Sequence, residues 1–335
     1  MILECIKNAY IAHLSKKIDS EIVPNKLVLR TLHKLAKYGA SAAYLRLGEI
    51  YLRGEMVPRH LPTGMFWLKK AGNAGYSRAW GLIAKARASG GSFERIGDLY
   101  TADDSAPIDL DEVLDYAIKG MEGGDIPSAG FSAQILLRMR GLRNQECRKI
   151  VLKAAQMGDP WSQALASRMA SEGISAYFLP GMTAQQSIIE WCHRSISIEI
   201  QDPFPYLNAA RLMSCGIVPG SSDSARKLMK RAADLGHNEA RTQYGYQLLC
   251  EGNTLHGVSY LQKAFWAGSG DAATILGNFY FKNLESENSL AVKWYIRAAK
   301  LNHAGAIRWL NDIVYKKTLN LHDRNIILYF LNRLS

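Results

Sequence analysis

No stretch of this 335-residue sequence stays apolar for long. The richest run, IILYF at 326–330, falls far below the roughly 18 residues that a membrane-crossing helix needs, so no span is expected. The opening MILECIKNAYIAHLSKKI carries Glu4 and has neither a basic leading segment nor a small-residue cleavage site, which argues against a secretory signal. Cysteine is sparse: Cys5, Cys147, Cys192, Cys215 and Cys250 are odd in number, scattered and without a CxxC pair. Neither a disulfide framework nor a zinc site is indicated. Free thiols suit a reducing compartment, and a soluble, cytoplasmic protein is the expectation.

Chemistry-bearing constellations are missing as well. No nucleophile, base and orienting group fall at a workable spacing, so an enzyme is not expected, and no cofactor or metal is implied. GSGDAA at 268–273 fits the G-x-G-x-x-[GA] phosphate pattern on paper, but it follows a helical segment instead of a strand. His237 and His303 hold the same place in two units that lie two repeats apart. Metal ligands must converge on one ion, so a role in a surface turn fits these histidines better. Asp103, Asp104, Asp109 and Asp111 cluster where a helix is expected to start near Asp109, and capping explains them better than acid–base work.

What is present is repetition. With 48% hydrophobic and 21% charged residues the chain can bury a large core. Ile2, Ile6, Ala9, Leu14 and Ile18 recur near helical spacing. In AAYLRLGEIYLRGEMV (42–57) Gly48 interrupts a good helix, at a cost of roughly 0.5 to 1 kcal/mol against alanine. The same pattern, a small residue, a second small residue five places on and often a glycine six beyond it, recurs at Ala43, Ala79, Ser128, Ser162, Pro205, Ala240, Ala272 and Ala306. A second motif lies between these copies: a small pair closing on glycine in KKAGNAG (to Gly75), LKAAQMG (Gly158), KRAADLG (Gly236) and QKAFWAG (Gly268), and on Asn302 in IRAAKLN. The unit is a helix pair of about 34 residues, within the range of stacked solenoids.

Segments such as LMKRAADLGHNEARTQYG (228–245) and VKWYIRAAKLNHAGA (292–306) resemble the Sel-like repeat, a relative of the tetratricopeptide repeat. The resemblance covers about residues 30–317 and weakens at HRSISIEIQ (193–201). It implies an all-α fold, an α/α superhelical solenoid of about eight repeats that binds other proteins and has no catalytic residues. Relatives of that kind act in bacterial signalling, virulence and envelope polysaccharide pathways. The expected organisation is an N-terminal amphipathic capping helix in 1–29, the solenoid over 30–317 and a C-terminal capping helix in 318–335. Ile326 to Leu331 are apolar all round, more than a cap requires, so docking of that helix onto another subunit stays open.

Small residues at Gly48, Ala84, Ala133, Ser167, Ala210, Gly245 and Gly277, and the pairs ending the second helices, let backbones approach closely. Trp67, Tyr116, Trp191, Tyr260 and Trp294 share one second-helix position and read as core. Surplus residues at 92–100 and 174–183 read as loops, either functional or neutral in length.

The net charge of +11, 41 basic against 30 acidic residues, raises nucleic acid as an alternative partner. Eight basic residues, Lys34, Lys70, Lys119, Lys153, Arg194, Arg231, Lys263 and Arg297, fall near second-helix ends, where a cation complements the helix dipole. Without them the balance is close to neutral. A first-helix stripe remains, at positions six and ten after the initial small residue: Glu49, Arg53, Lys85, Arg138, Arg168, Arg211, Tyr246 and Lys282 among them. In tetratricopeptide-like arrays the first helices line the concave surface, so by resemblance this stripe faces a protein or peptide partner, acidic in character. The basic groove with a nucleic acid is the alternative, although Tyr246 is the sole aromatic available for base stacking.

Overall fold

The computed structural model describes residues 25–88, 108–283, 288–314 and 321–333. The expected helix at 2–18, the surplus at 92–100, Asp103 and Asp104 lie outside them. The described residues form seventeen α-helices and one 3₁₀ turn, with no strand among them. After α1 (Asn25–Lys37), first helices alternate with second helices. The first helices are α2 (Ser41–Arg53), α4 (Ser77–Ala88), α6 (Ile126–Arg140), α8 (Pro160–Ser171), α10 (Phe204–Ser214), α12 (Asn238–Cys250), α14 (Gly270–Asn283) and α16 (Ala304–Val314). The second helices are α3 (Leu61–Asn73), α5 (Leu110–Glu122), α7 (Gln145–Met157), α9 (Ala184–Ser195), α11 (Ser222–Asp234), α13 (Thr254–Trp266) and α15 (Asn288–Lys300), and α17 (Leu321–Leu331) follows α16. The fold is an all-α solenoid of helix-pair repeats.

Local chemistry explains where the helices begin and end. Asp109, Asp125, Asn144 and Ser221 each accept a backbone N–H in the first turn of α5, α6, α7 and α11, and Thr183 forms a full capping box with Gln186 on α9. Such caps contribute about 0.5 to 2 kcal/mol each. The expected capping by Asp109 is what the structure shows: its carboxylate accepts from the amides of Asp111 and Glu112 at 3.0 and 3.1 Å. The glycine that closes the second-helix motif takes a left-handed conformation, with φ of 95° at Gly75, 103° at Gly158 and 101° at Gly236. Where the motif ends on asparagine, Asn302 holds φ of 57°, the one positive value outside glycine among the described residues. Asparagine tolerates this region better than other side-chain-bearing residues.

The chain divides into two compact units, one of residues up to Ala166 with Ser175–Tyr177, the other of Ser167–Ile174 and Phe178 onward. In the first unit Val28, Leu32, Leu47 and Ile50 form one buried cluster and Leu52, Leu68 and Ile83 the next. A Cβ placed on Gly48 would lie 2.5 Å from Leu68 Cδ2 and 3.3 Å from the Gly64 carbonyl, and one on Gly64 would lie 2.8 Å from Leu52. The glycine is there because α3 crosses α2 at that point. In the second unit Gly245 and Gly257 repeat the arrangement, 3.1 and 2.9 Å from each other's carbonyl. Gly277 differs: its neighbour is the ring of Tyr295 at 2.9 Å, which stacks on Trp309 with centroids 3.6 Å apart.

The surplus at 174–183 is only partly a loop. Tyr177, on the 3₁₀ turn Ser175–Tyr177, is fully buried, and burial pushes its phenol up to about 12. At the C-terminus Ile327 of α17 is fully buried in the cluster that holds Leu310, Ile313 and Val314, while Leu321 and Tyr329 stay exposed.

Candidate protein-binding face

Each first helix has one side consumed by packing and one side carrying the stripe. In the first unit the stripe is partly internal. Glu49 of α2 is only 9% exposed; its carboxylate accepts from Arg46 at 3.4 Å and meets Arg78 of α4 at 3.1 Å. It therefore ties one first helix to the next. Arg53, at the end of α2, is exposed and pairs with Glu55 at 3.1 Å. Lys85 of α4 is half-buried; loss of water pushes its ammonium down, while the carboxylates of Asp125 and Asp159 oppose that shift. Arg138 is exposed near the end of α6.

In the second unit Arg168 of α8 is exposed and pairs with Glu172 at 3.2 Å. Arg211, in the equivalent place on α10, is half-buried and pairs with Glu239 at the start of α12. Burial first, and Arg168 second, push its guanidinium down from its ordinary value. Tyr246 of α12 is 55% exposed, and Lys282 belongs to α14, its side chain lying outside the described residues. Below this surface run hydrogen bonds between successive first helices. Asn208 Nδ2 donates to Ser167 Oγ at 2.7 Å, Thr242 pairs with Ser269 at 3.1 Å and Thr274 with His303 Nδ1 at 3.1 Å. These ties were missed in the sequence, although Thr242 and Thr274 stand at the same place in their repeats.

Two sets of residues have more definite roles than their spacing suggested. His237 and His303 are N-caps of α12 and α16, their Nδ1 atoms accepting from Ala240 at 3.5 Å and Ala306 at 3.2 Å, and His60 does the same for α3 from Thr63 at 3.3 Å. The second-helix cations lie over the aromatic ring three residues before them: Lys70 on Trp67 (5.2 Å), Lys119 on Tyr116 (5.5 Å), Arg194 on Trp191 (5.4 Å), Lys263 on Tyr260 (5.7 Å) and Arg297 on Trp294 (4.4 Å). They serve the last helical turn and the ring together, worth about 0.5 to 1 kcal/mol each at exposed sites. Among the described residues no group of three or more His, Cys, Asp or Glu is placed to hold a metal ion.

The Sel1 repeat model matches residues 41–76, 207–237 and 271–303, and each match takes in most or all of one first helix and the whole second helix after it. The chain carries Sel1 repeats. Two solved structures share this Sel1-repeat architecture. One is a protective antigen present in uropathogenic Escherichia coli strains and displaying an SLR fold, 20% identical, with a TM-score of 0.61 over 97% of this chain and 72% of that one. The other is a Sel1 repeat protein from Oxalobacter formigenes, 19% identical, with a TM-score of 0.53 over 92% of this chain and 93% of that one. At this identity they show the fold alone. No curated protein matches the sequence.

Proposed function

We propose that this Sel1-repeat chain is a noncatalytic scaffold that holds a partner protein or peptide along the first-helix stripe, assembling or regulating a complex. The observation that carries the reading is the division of labour on each first helix. The small residues Gly48, Ala84, Ala133, Ser167, Ala210, Gly245 and Gly277 are all buried, whereas Arg53, Arg138, Arg168 and Tyr246 are exposed in repeated register. A face that varies in charge on a fixed spacing suits recognition of another chain. Because Arg53, Arg168 and Arg211 each already hold a carboxylate, the stripe has less free positive charge than its residue count suggests, which favours a protein over a nucleic acid. A cytoplasmic location goes with this reading: Cys147, Cys192, Cys215 and Cys250 are free thiols, as expected in a reducing compartment.

The test is capture in cells, with a photo-crosslinking amino acid placed at Arg53, Arg138 or Tyr246 and the adducts identified by mass spectrometry. Defined protein adducts that disappear with Arg168→Glu and Arg211→Glu support the stripe. Recovery of nucleic acid, or protein adducts indifferent to both substitutions, would overturn it.

A further inference from the structure

Arg168 and Arg211 stand at the same register on α8 and α10, the first helices of consecutive repeats, which are joined by the Asn208–Ser167 hydrogen bond at 2.7 Å, and the Arg168 charge opposes that of Arg211. Like charges so placed call for negative charge between or beside them. The protein supplies it from within. Glu172, in the turn just past the end of α8, accepts from Arg168 Nε at 3.2 Å, and Glu239, in the first turn of α12, accepts from Arg211. Both glutamates are about half exposed, at 49% each, so neither pair is sealed from solvent. Exposed ion pairs of this kind contribute about 0 to 1 kcal/mol and exchange readily. Glu239 also accepts from Gln243 at 3.2 Å, so it keeps a partner when it leaves Arg211.

We propose that Arg168 and Arg211 form a subsite for two carboxylates of an extended acidic peptide, and that Glu172 and Glu239 occupy it until the peptide displaces them. The proposal rests on the scaffold reading above and adds the chemistry of the ligand. Packed helices lie about 8 to 10 Å apart and an extended strand advances about 3.3 Å per residue, so one repeat corresponds to about three residues of ligand. Two glutamates separated by two residues fit the two guanidiniums. A further step of the same length reaches the exposed ring of Tyr246, in the next repeat, which suits an aromatic side chain. The matching sequence is Glu-x-x-Glu-x-x-Phe.

Fluorescence anisotropy with a fluorescein-labelled synthetic Glu-x-x-Glu-x-x-Phe peptide tests this on the full chain. The same peptide with glutamine for glutamate and one with the glutamates adjacent serve as controls, and a labelled oligouridine runs in parallel. Arg168→Gln and Arg211→Gln are expected to weaken binding about tenfold, the loss of one charge-assisted hydrogen bond. The distinctive expectation is a gain: Glu172→Gln with Glu239→Gln tightens binding, because the internal competitors lose their charge. If those glutamates only brace the helices, the double variant binds no better or more weakly, and the displacement is wrong. Equal binding of the glutamine peptide, tighter binding of oligouridine, or no binding by the wild type and the double variant alike at about 1 mM would overturn the subsite. Arg168 is exposed, so its variant informs even if Arg211→Gln disturbs folding. Stripe-dependent protein adducts in cells alongside a failed peptide would leave the scaffold standing and remove only the carboxylate chemistry.

Discussion

A Cβ on Gly245 would lie 2.9 Å from Leu261 Cγ and 3.1 Å from the Gly257 carbonyl, and one on Gly48 would lie 2.5 Å from Leu68 Cδ2 and 3.3 Å from the Gly64 carbonyl. A leucine side chain can rotate away but a carbonyl in a helix cannot, and each site has both, so substitutions at the two should act alike. Gly245→Ala and Gly48→Ala are each expected to destabilise their own unit by about 1 to 3 kcal/mol through overpacking, read from the shift in urea midpoint of each variant. His237 offers a second test at this scale. Burial, followed by Arg211, holds its imidazole below its ordinary value, so the folded protein favours the neutral ring that caps α12. The capping contribution is complete above about pH 6.5 and is lost as pH falls through the lower folded value. Hydrogen exchange of the first-turn amides of α12 should therefore lose protection on acidification beyond the intrinsic pH effect, while His237→Asn, which caps without titrating, should stay flat.

At the scale of helices, caps and tethers predict which elements can be released singly. Asp109 supplies both capping bonds at the start of α5, and its replacement by alanine should cost about 0.5 to 2 kcal/mol and raise exchange at the N-terminal turn of α5 first. The C-terminal helix is held differently. Asp323 of α17 is 2% exposed and accepts the Ser289 hydroxyl at 2.9 and 2.8 Å, beside the N-terminus of α15. Asp323→Ala leaves that hydroxyl without its acceptor and removes a carboxylate from the positive end of a helix. Increased proteolysis within α17, with the rest of the fold retained, is the expected result. If susceptibility there is unchanged, the Ser289–Asp323 tie is not what holds α17, and the packing of Ile327 carries more of it. The aromatic–cation pairs on the second helices belong to this scale too, since each links a packed ring to the last helical turn.

Over the whole molecule, part of the basic charge behind the net +11 is met by the protein's own groups. Most second-helix cations sit on aromatic rings, and several first-helix arginines hold glutamates. Binding to a labelled polynucleotide is accordingly expected to show a salt slope no steeper than about −2, the signature of one or two phosphate contacts. A steeper slope would restore the nucleic-acid alternative. The helix pairs, the close approaches at Gly48 and Gly245, the turn at Asn302 and the cap at Asp109 were legible in the sequence because each is a local demand with a fixed spacing. Small side chains are required where helices cross, and glycine or asparagine where φ is positive. The rings beneath Lys70, Lys119 and Arg297 were visible as residues, but not as their partners, because the side-chain rotamers that bring cation over ring are set by packing. Burial of Glu49 and Tyr177, and the ties from Ser167, Thr242 and Thr274 to the following repeat, needed the tertiary structure. They join residues far apart in the chain whose approach is set by how one helix pair lies on the next. Repetition alone determined the fold; stacking decided which stripe residues brace the repeats and which stay exposed to solvent.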